Sequence, residues 1–223
     1  MDNTAVYVIA EAGTNHNGKV ENAQADSVKF QIINPDFLYL PGVYAYGEYD
    51  IDEVRAMRRR FMLTDAQYRE LATYARGKGI AFSASVFDEH GLELLAAMHP
   101  PYIKIASTDL NNVRLLRRVA EKGIRMIVST GMASLGDIEK SVNEIARVGL
   151  RDLVLMHCVS TYPASLAEMN LGFIDTLRSA FGFPVGLSDH TESSIAACMA
   201  LVKGISYVEK HFTMDRTQEG FDH

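Results

Sequence analysis

The sequence predicts an α/β fold, a (β/α)8 TIM barrel contained in one domain that spans residues 1–223. A unit repeats along the chain: a short run rich in Val, Ile and Leu, a loop with Ser, Thr, Asp or Asn, and an amphipathic stretch of about 10 to 15 residues. This repeat is typical of parallel strands joined by helices, and eight such runs suffice to close a barrel. The length also suits one large domain. The predicted strands are Tyr7–Ala12, Ser27–Gln31, Ile80–Ala84, Tyr102–Ala106, Met126–Ser129, Leu153–Cys158, Pro184–Leu187 and Tyr207–His211.

Three of the predicted helices begin after a capping side chain. Thr64, Ser134 and Thr191 each precede a segment with helical periodicity that ends near a glycine. A hydroxyl at that position accepts a hydrogen bond from a free N–H group of the first turn, so we expect the three helices to start there.

One segment departs from the repeat. Residues Ile32–Phe61 form a longer excursion rich in Tyr, Pro, Gly and Asp. We predict a substrate-contacting loop that covers the active face of the barrel as a lid or wall.

The connection between the first two strands is too short for a right-handed parallel crossover, which needs a dozen or more residues and usually a helix. Either the barrel is broken there or residues are missing between Gly18 and Ser27, and we favour an omission around Ala23–Ala25. No helix follows the eighth strand before the sequence ends at His223. We therefore expect an incomplete barrel without its first and eighth helices.

Composition narrows the class of protein. The net charge of −6 argues against binding to nucleic acid, and no apolar run approaches the length of a membrane helix. The N-terminal segment has no basic stretch or cleavage site typical of a signal peptide, so we expect a cytoplasmic protein. The two cysteines, Cys158 and Cys198, have apolar neighbours in the sequence and are predicted to be reduced structural thiols.

Two lysines lie within predicted strands. Lys29 and Gln31 are two residues apart and share one face of their strand, and Lys104 lies between two isoleucines. A lysine in a buried parallel strand is costly unless an anion meets it. Internal ion pairs are one explanation, and a site for phosphate and carboxylate groups is the other.

Serines stand where five successive strands are predicted to end. A serine at a strand end is usually a turn residue or a helix cap. Five in register, together with the lysines, instead favour a ring of donors around an anion. These residues are Ser85, Ser107, Ser129, Ser160 and Ser188.

Two histidines, His190 and His211, end the seventh and eighth predicted strands. Neighbouring strands are about 4.8 Å apart, so two imidazoles there can share a metal ion. Asp189 and Glu209 flank them, and Glu209 shares a strand face with His211. Two nitrogen ligands with open positions suit Mn, Fe, Co or Zn.

Glu11 lies at the end of the first strand, before a loop that contains Asn15 and His16. One explanation is a capped loop with a surface carboxylate. The other is a group that transfers protons, with Asn15 or His16 binding hydroxyl groups.

Seven segments occur in an order that resembles the sialic acid synthase family, which includes N-acetylneuraminate, legionaminate and pseudaminate synthases and related spore-coat polysaccharide enzymes. The segments run nearly from end to end of the chain: IAEAGTNHNG, DSVKFQ, PYIKIASTDLNN, STGMASLGDI, LMHCVSTYPA, GLSDHT and VEKHFT, the last followed by GFDH. The resemblance implies a catalytic barrel that joins phosphoenolpyruvate to an N-acetylated hexosamine aldehyde, similar to N-acetylmannosamine, and releases phosphate. Such an enzyme is a transferase that forms a carbon–carbon bond.

The resemblance also assigns roles to residues. Glu11 and Glu209 match catalytic positions, and His190 and His211 match ligands of a divalent metal, typically Mn²⁺. Phosphoenolpyruvate would be bound by Lys29, Lys104, Ser85, Ser107, Ser129, Ser160 and Ser188, although the family often has Thr at the first of these serines along the chain and Asn at Ser160. The positions near the sugar are Gln31, Phe87, Tyr162 and Asp222.

Members of the family usually continue into a small antifreeze-protein-like domain that reaches the active site of a partner subunit. No such domain is present in the 223 residues, so we expect a homodimer in a longer form of the protein.

Two other functions are open. A barrel that makes 3-deoxy-octulosonate or 3-deoxy-heptulosonate phosphates would need a second cluster of Arg or Lys for the sugar phosphate, which the strand ends lack. A homologue without catalytic activity that binds a sugar is the other alternative.

Overall fold

A computed structural model describes residues 5–13, 25–38, 45–46, 49–213 and 217. Within them, eight parallel strands close into a barrel, which confirms the predicted fold class. The barrel strands are β1 (Tyr7–Gly13), β2 (Ser27–Ile32), β5 (Ala81–Val86), β6 (Ile103–Ile105), β7 (Met126–Ser129), β8 (Leu153–Cys158), β9 (Val185–Asp189) and β10 (Tyr207–His211). A two-stranded sheet of β3 (Ala45–Tyr46) and β4 (Tyr49–Asp50) lies outside the barrel.

The helices of the described part of the chain alternate with the barrel strands from β2 onward. They are α1 (Pro35–Leu38), α2 (Ile51–Phe61), α3 (Asp65–Gly77), α4 (Glu89–Ala96), α5 (Val113–Ala120), α6 (Leu135–Val148), α7 (Phe173–Phe181) and α8 (Ile195–Val202). Two 3₁₀ turns, Ser107–Asp109 and Leu166–Glu168, follow β6 and β8.

The barrel is closed between its first two strands. β1 and β2 pair in parallel from Ile9 opposite Ser27 onward, with an irregularity between Glu11 and Gly13. The alternative of a broken barrel is therefore wrong. The segment in which we expect missing residues lies outside the described residues up to Gln24, and after β10 only Phe212, Thr213 and Thr217 are described.

Two of the three predicted helix caps are confirmed. Thr64 and Ser134 form capping boxes at the starts of α3 and α6. The prediction for Thr191 is wrong because α8 begins at Ile195. Asp189 accepts a hydrogen bond from the N–H group of Thr191, whose hydroxyl donates to the carbonyl of Ser193, and these contacts form a turn instead of a first helical turn.

Residues 32–61 contain more regular structure than predicted. Helix α2 starts after Asp50, whose carboxylate accepts from the N–H group of Asp52, and it buries Ile51 and Val54. The prediction of a loop is wrong for this part, because the cap and the buried pair stabilise a helix. None of the described residues of the segment lines the central cavity described below.

The main core lies between the strands and the surrounding helices, and includes Val28 and Phe30 on the outward face of β2. Inside the barrel, Ile9, Tyr102, Ile127, Val154 and Met156 form a second apolar cluster. No helix of the described residues is long and apolar enough to cross a membrane.

Candidate active site

The cavity lies at the carboxyl ends of the barrel strands, the face where active sites form in this fold. It is open to solvent and has a volume of about 180 Å³. Most of the predicted site residues line it: Glu11, Lys29, Gln31, Ser85, Lys104, Ser107, Ser129, Ser160, Tyr162, Ser188, His190, Glu209 and His211.

One predicted residue that the structure describes is not brought into this group. Phe87 follows β5 and does not line the cavity. Asp222 lies outside the described residues, as do Asn15 and His16.

Two strands extend further than predicted and include a serine that was predicted to follow them. Strand β5 continues to Val86 and β9 to Asp189, so Ser85 and Ser188 lie within their strands instead of following them. Their pairing explains the extension, since Ser85 is in register with Gln31 and Ser188 with Glu209.

Both lysines are buried and form ion pairs. Lys29 Nζ contacts Glu11 Oε2 directly and lies 3.8 Å from Glu209 Oε2, and Lys104 Nζ lies 3.4 Å from Glu209 Oε1. Internal ion pairing, one of the two explanations from the sequence, is therefore confirmed. Both lysines also line the open cavity, and the anion site stays a prediction.

Serine hydroxyls complete the surroundings of the lysines. Lys29 donates to Ser85 Oγ at 3.0 Å and Lys104 to Ser129 Oγ at 2.7 Å, while Ser188 donates to Glu209 Oε1 at 2.9 Å. These three serines are at most 2% exposed. They form part of the predicted ring of small polar groups around the cation pair.

Burial and charge act in opposite directions on the ionisable groups. Burial lowers the pKa of Lys104, and nearby Lys29 adds to this effect while Glu209 opposes it. Burial also disfavours the charged form of Glu209, but Lys104 and Lys29 outweigh it and lower the pKa of Glu209 to about 2. Glu209 is therefore a carboxylate at neutral pH.

Glu11 is oriented from two sides. Gln31 Nε2 donates to Glu11 Oε1 at 3.1 Å, and Lys29 contacts the other oxygen. Glu11 is 2% exposed, which excludes the alternative of a surface carboxylate in a capped loop. Its carboxylate lies at the cavity wall beside His211, the residue in register with it on β10.

The two histidine rings lie side by side, with centroids 5.5 Å apart. His190 Nδ1 donates to the carbonyl of Val159 at 2.7 Å, which leaves the lone pair of Nε2 for another ligand. This is the arrangement that histidine ligands of metals usually have. Tyr162 stacks on His190 at 4.1 Å and meets His211 edge-on at 5.7 Å.

The described residues contain no group of three or more His, Cys, Asp or Glu side chains arranged to bind a metal. Asp189, which flanks His190 in the sequence, is turned away and binds Lys210. Two imidazoles with open positions therefore fit a catalytic metal that takes further oxygen ligands from substrate or water, rather than a closed structural site.

Cys158 is a cavity residue that the sequence did not predict. Its Sγ lies 3.7 Å from Ser107 Oγ, 4.0 Å from Ser160 Oγ and 3.9 Å from His190 Nδ1. Burial opposes the thiolate, but contacts with His190 and Ser107 outweigh it and lower the pKa of Cys158. Both cysteines are free, which agrees with the prediction of reduced thiols, but Cys158 contacts polar groups and Cys198 is exposed. The two-residue alternation along β8, which turns both Met156 and Cys158 inward, was the available signal.

Gly131, in the loop after β7, has a spatial requirement that the sequence alone does not reveal. A Cβ atom there would lie 2.4 Å from Ser160 Oγ and 2.9 Å from Ser107 Oγ. The missing side chain allows the two hydroxyls to approach this loop. Met132, the next residue, has a positive φ of 62° and lines the cavity mouth.

A closed parallel barrel with buried lysines, serine hydroxyls and paired histidines around an open cavity at its active face defines a class of barrel suited to binding a small anionic molecule. The chain belongs to the NeuB family, whose model matches residues 18–223.

The chain is also similar in sequence to individual curated proteins. The chain is 35% identical over 236 residues to the N,N'-diacetyllegionaminic acid synthase of Legionella pneumophila, covering 97% of the chain and 66% of the relative. It is 33% identical over 239 residues to the N-acetylneuraminate-9-phosphate synthase of Drosophila melanogaster, covering 98% and 63%. The chain thus spans somewhat less than two thirds of the length of these curated relatives.

Among solved structures, the crystal structure of N-acetylneuraminic acid synthetase from Leptospira borgpetersenii in complex with citrate is similar throughout. The TM-score is 0.87 at 33% identity, and the match covers 97% of this chain and 76% of the other.

Proposed function

We propose that the protein condenses phosphoenolpyruvate with the aldehyde of an N-acetylated hexosamine, similar to N-acetylmannosamine, to form a nonulosonic acid and phosphate. The observation that carries this proposal is the pair of buried lysines, Lys29 and Lys104, facing the cavity with serine partners. Membership of the NeuB family and the names of the relatives support the reaction.

The anionic substrate is bound by the cation pair. Its phosphate and carboxylate groups meet Lys29 and Lys104, and the hydroxyls of Ser85, Ser107, Ser129, Ser160 and Ser188 donate to them. Charge-assisted hydrogen bonds of this kind are about twice as strong as neutral ones, and they are strongest where water is excluded. Water is largely excluded from the two lysines, which are only 2 to 3% exposed.

The sugar lies on the histidine side of the cavity. Tyr162 is half exposed and offers a flat apolar surface with a hydroxyl, and Gln31 offers an amide. By resemblance, Asp222 also contributes to this part of the site.

We propose that His190 and His211 would hold a divalent metal, Mn²⁺, which would supply Lewis-acid polarisation of the sugar aldehyde. Val159 fixes the tautomer of His190 for this role, and Tyr162 holds the ring by stacking.

The reaction forms one carbon–carbon bond, forms one carbon–oxygen bond from water, and breaks the carbon–oxygen bond to phosphate. C3 of phosphoenolpyruvate attacks the aldehyde carbon, whose oxygen takes up a proton. Water adds at C2, and the resulting tetrahedral centre loses phosphate together with the bridging oxygen. Glu11 and Glu209 are placed to accept and return the protons, and Lys29 and Lys104 balance the phosphate charge.

Phosphate release tests this proposal. The protein is mixed with phosphoenolpyruvate, Mn²⁺ and a panel of N-acetylated hexosamines, and we expect release that requires one of these sugars. Release that occurs with a phosphorylated aldose and with no hexosamine would favour the 3-deoxy-ulosonate alternative. An absence of turnover with every sugar in a full-length protein would favour a homologue that only binds.

We further propose that the protein is a homodimer in the cytoplasm. Static light scattering of the full-length protein tests the dimer, and a monomer at micromolar concentration would contradict it.

A further inference from the structure

The cavity contains four buried charged side chains whose formal charges cancel. Lys29 and Lys104 contribute two positive charges, Glu11 and Glu209 contribute two negative ones, and all four residues are between 2 and 5% exposed. An anion that enters this site does not meet two free cations. It meets lysines that already have carboxylate partners.

Glu209 is the residue that competes most directly with such an anion. Its Oε1 lies 3.4 Å from Lys104 Nζ and accepts from Ser188 at 2.9 Å, and its Oε2 lies 3.8 Å from Lys29 Nζ. Glu209 therefore uses the same three donors that a bound phosphate or carboxylate would use. Glu11, by contrast, contacts Lys29 and Gln31.

We propose, on the basis of the proposed function, that Glu209 is an internal counter-anion that occupies the substrate's anion site in the free protein. The phosphate of phosphoenolpyruvate displaces the Glu209 carboxylate from Lys104 and Lys29 when it binds. The displacement weakens ground-state binding of the substrate, because two like charges compete for one pair of cations in a poorly solvated site. The free protein in turn avoids two uncompensated buried cations.

The proposal makes an unusual prediction about a variant. Replacing Glu209 by Gln removes the competing charge but keeps the size of the side chain and its ability to accept from Ser188. Calorimetric titration of the metal-free protein with inorganic phosphate should show binding tighter by about tenfold or more in Glu209→Gln than in wild type. A purely structural role for Glu209, or a role limited to catalysis, predicts equal or weaker phosphate binding, and that result would overturn the proposal.

Three further variants make the titration specific. Glu93→Gln makes the same chemical change at an exposed ion pair with Lys122 and should leave phosphate binding unchanged. Lys104→Ala should remove most of the binding, which ties the titration to this site. Glu209→Asp keeps the charge but withdraws the carboxylate by one methylene, and it should tighten binding by less than Glu209→Gln. If Glu209→Gln does not fold, the phosphate affinity of Glu209→Asp tests the proposal instead. Phosphate binding by Glu209→Asp that is equal to or weaker than that of the wild type would then overturn it.

Failure of this inference is distinguishable from failure of the proposed function. The titration uses phosphate alone and needs no sugar, metal or turnover. Tighter phosphate binding in a protein that turns over no sugar supports the counter-anion and contradicts the synthase. Normal turnover by the wild type, without tighter phosphate binding in Glu209→Gln, supports the synthase and contradicts the counter-anion.

Discussion

The ammonium of Lys104 on β6 donates a 2.7 Å hydrogen bond to the hydroxyl of Ser129 at the end of the neighbouring strand β7. Lys104 is 3% exposed and also lies 3.4 Å from a Glu209 oxygen. A cation held this firmly in the interior of a barrel must be matched by negative charge. Glu209 supplies that charge in the free protein, and we propose that substrate phosphate supplies it in the complex.

Replacing Lys104 by Ala should weaken binding of phosphoenolpyruvate by about tenfold to a hundredfold, because charge-assisted hydrogen bonds are lost. Calorimetric titration measures this. The matched control is Lys122→Ala, which removes a partly buried lysine that pairs with Glu93 outside the cavity, and it should leave the affinity unchanged. An unaltered affinity in Lys104→Ala would remove this residue from the anion site.

The affinity for phosphoenolpyruvate should fall in alkaline solution. Burial lowers the pKa of Lys104 below its usual 10.5, and the charged form is the one that binds an anion. Affinity is therefore retained below the lowered pKa and is lost as pH rises through it, at a pH below 10.5. In Lys104→Arg the guanidinium stays charged, so the fall should move to higher pH. Identical pH profiles for the two proteins would show that Lys104 does not control binding.

Replacing His190 or His211 by Ala should abolish both Mn²⁺ binding and metal-dependent turnover while the barrel stays folded. Electron paramagnetic resonance of free Mn²⁺ measures metal binding, and circular dichroism shows whether the barrel stays folded. His90→Ala is the matched control, because His90 is exposed and pairs with Asp65 away from the cavity. Retained activity in either site variant would show that the metal is bound elsewhere.

Gly131→Ala should weaken binding of phosphoenolpyruvate with little effect on the thermal unfolding midpoint. The new methyl group would lie within 2.4 Å of Ser160 Oγ, so the hydroxyls of Ser160 and Ser107 must move. Gly136→Ala is the control, since the nearest atom there is 3.8 Å away, and it should change binding little. Equal affinity in the two variants would mean that the positions of Ser107 and Ser160 are not important for the substrate.

The sequence predicted the barrel and most of the cavity because strand periodicity determines both. Alternation along β2 turns Lys29 and Gln31 inward, and parallel strands bring their carboxyl ends to one face. Features that depend on residues distant in the sequence were harder to predict from the sequence. Tertiary packing determines three such features: the buried side chains of helix α2, the close approach of Gly131 to two serines, and the contact of Cys158 with His190.

The double role of the buried charges was also beyond the sequence. Ion pairing and anion binding were alternatives for Lys29 and Lys104 when only the chain was considered. The structure places Glu11 against Lys29 and Glu209 against both lysines while leaving the two lysines at the cavity wall. Ion pairing is thereby confirmed, and anion binding by the same lysines is what we propose.

The identity of the product tests the central claim most directly. Phosphoenolpyruvate labelled with ¹³C at C3 is incubated with the protein, Mn²⁺ and the N-acetylated hexosamine that supports phosphate release, and the product is analysed by mass spectrometry and NMR. We predict a single acid in which the labelled carbon is bonded to the former aldehyde carbon of the sugar. Labelled pyruvate together with unchanged sugar would contradict the account.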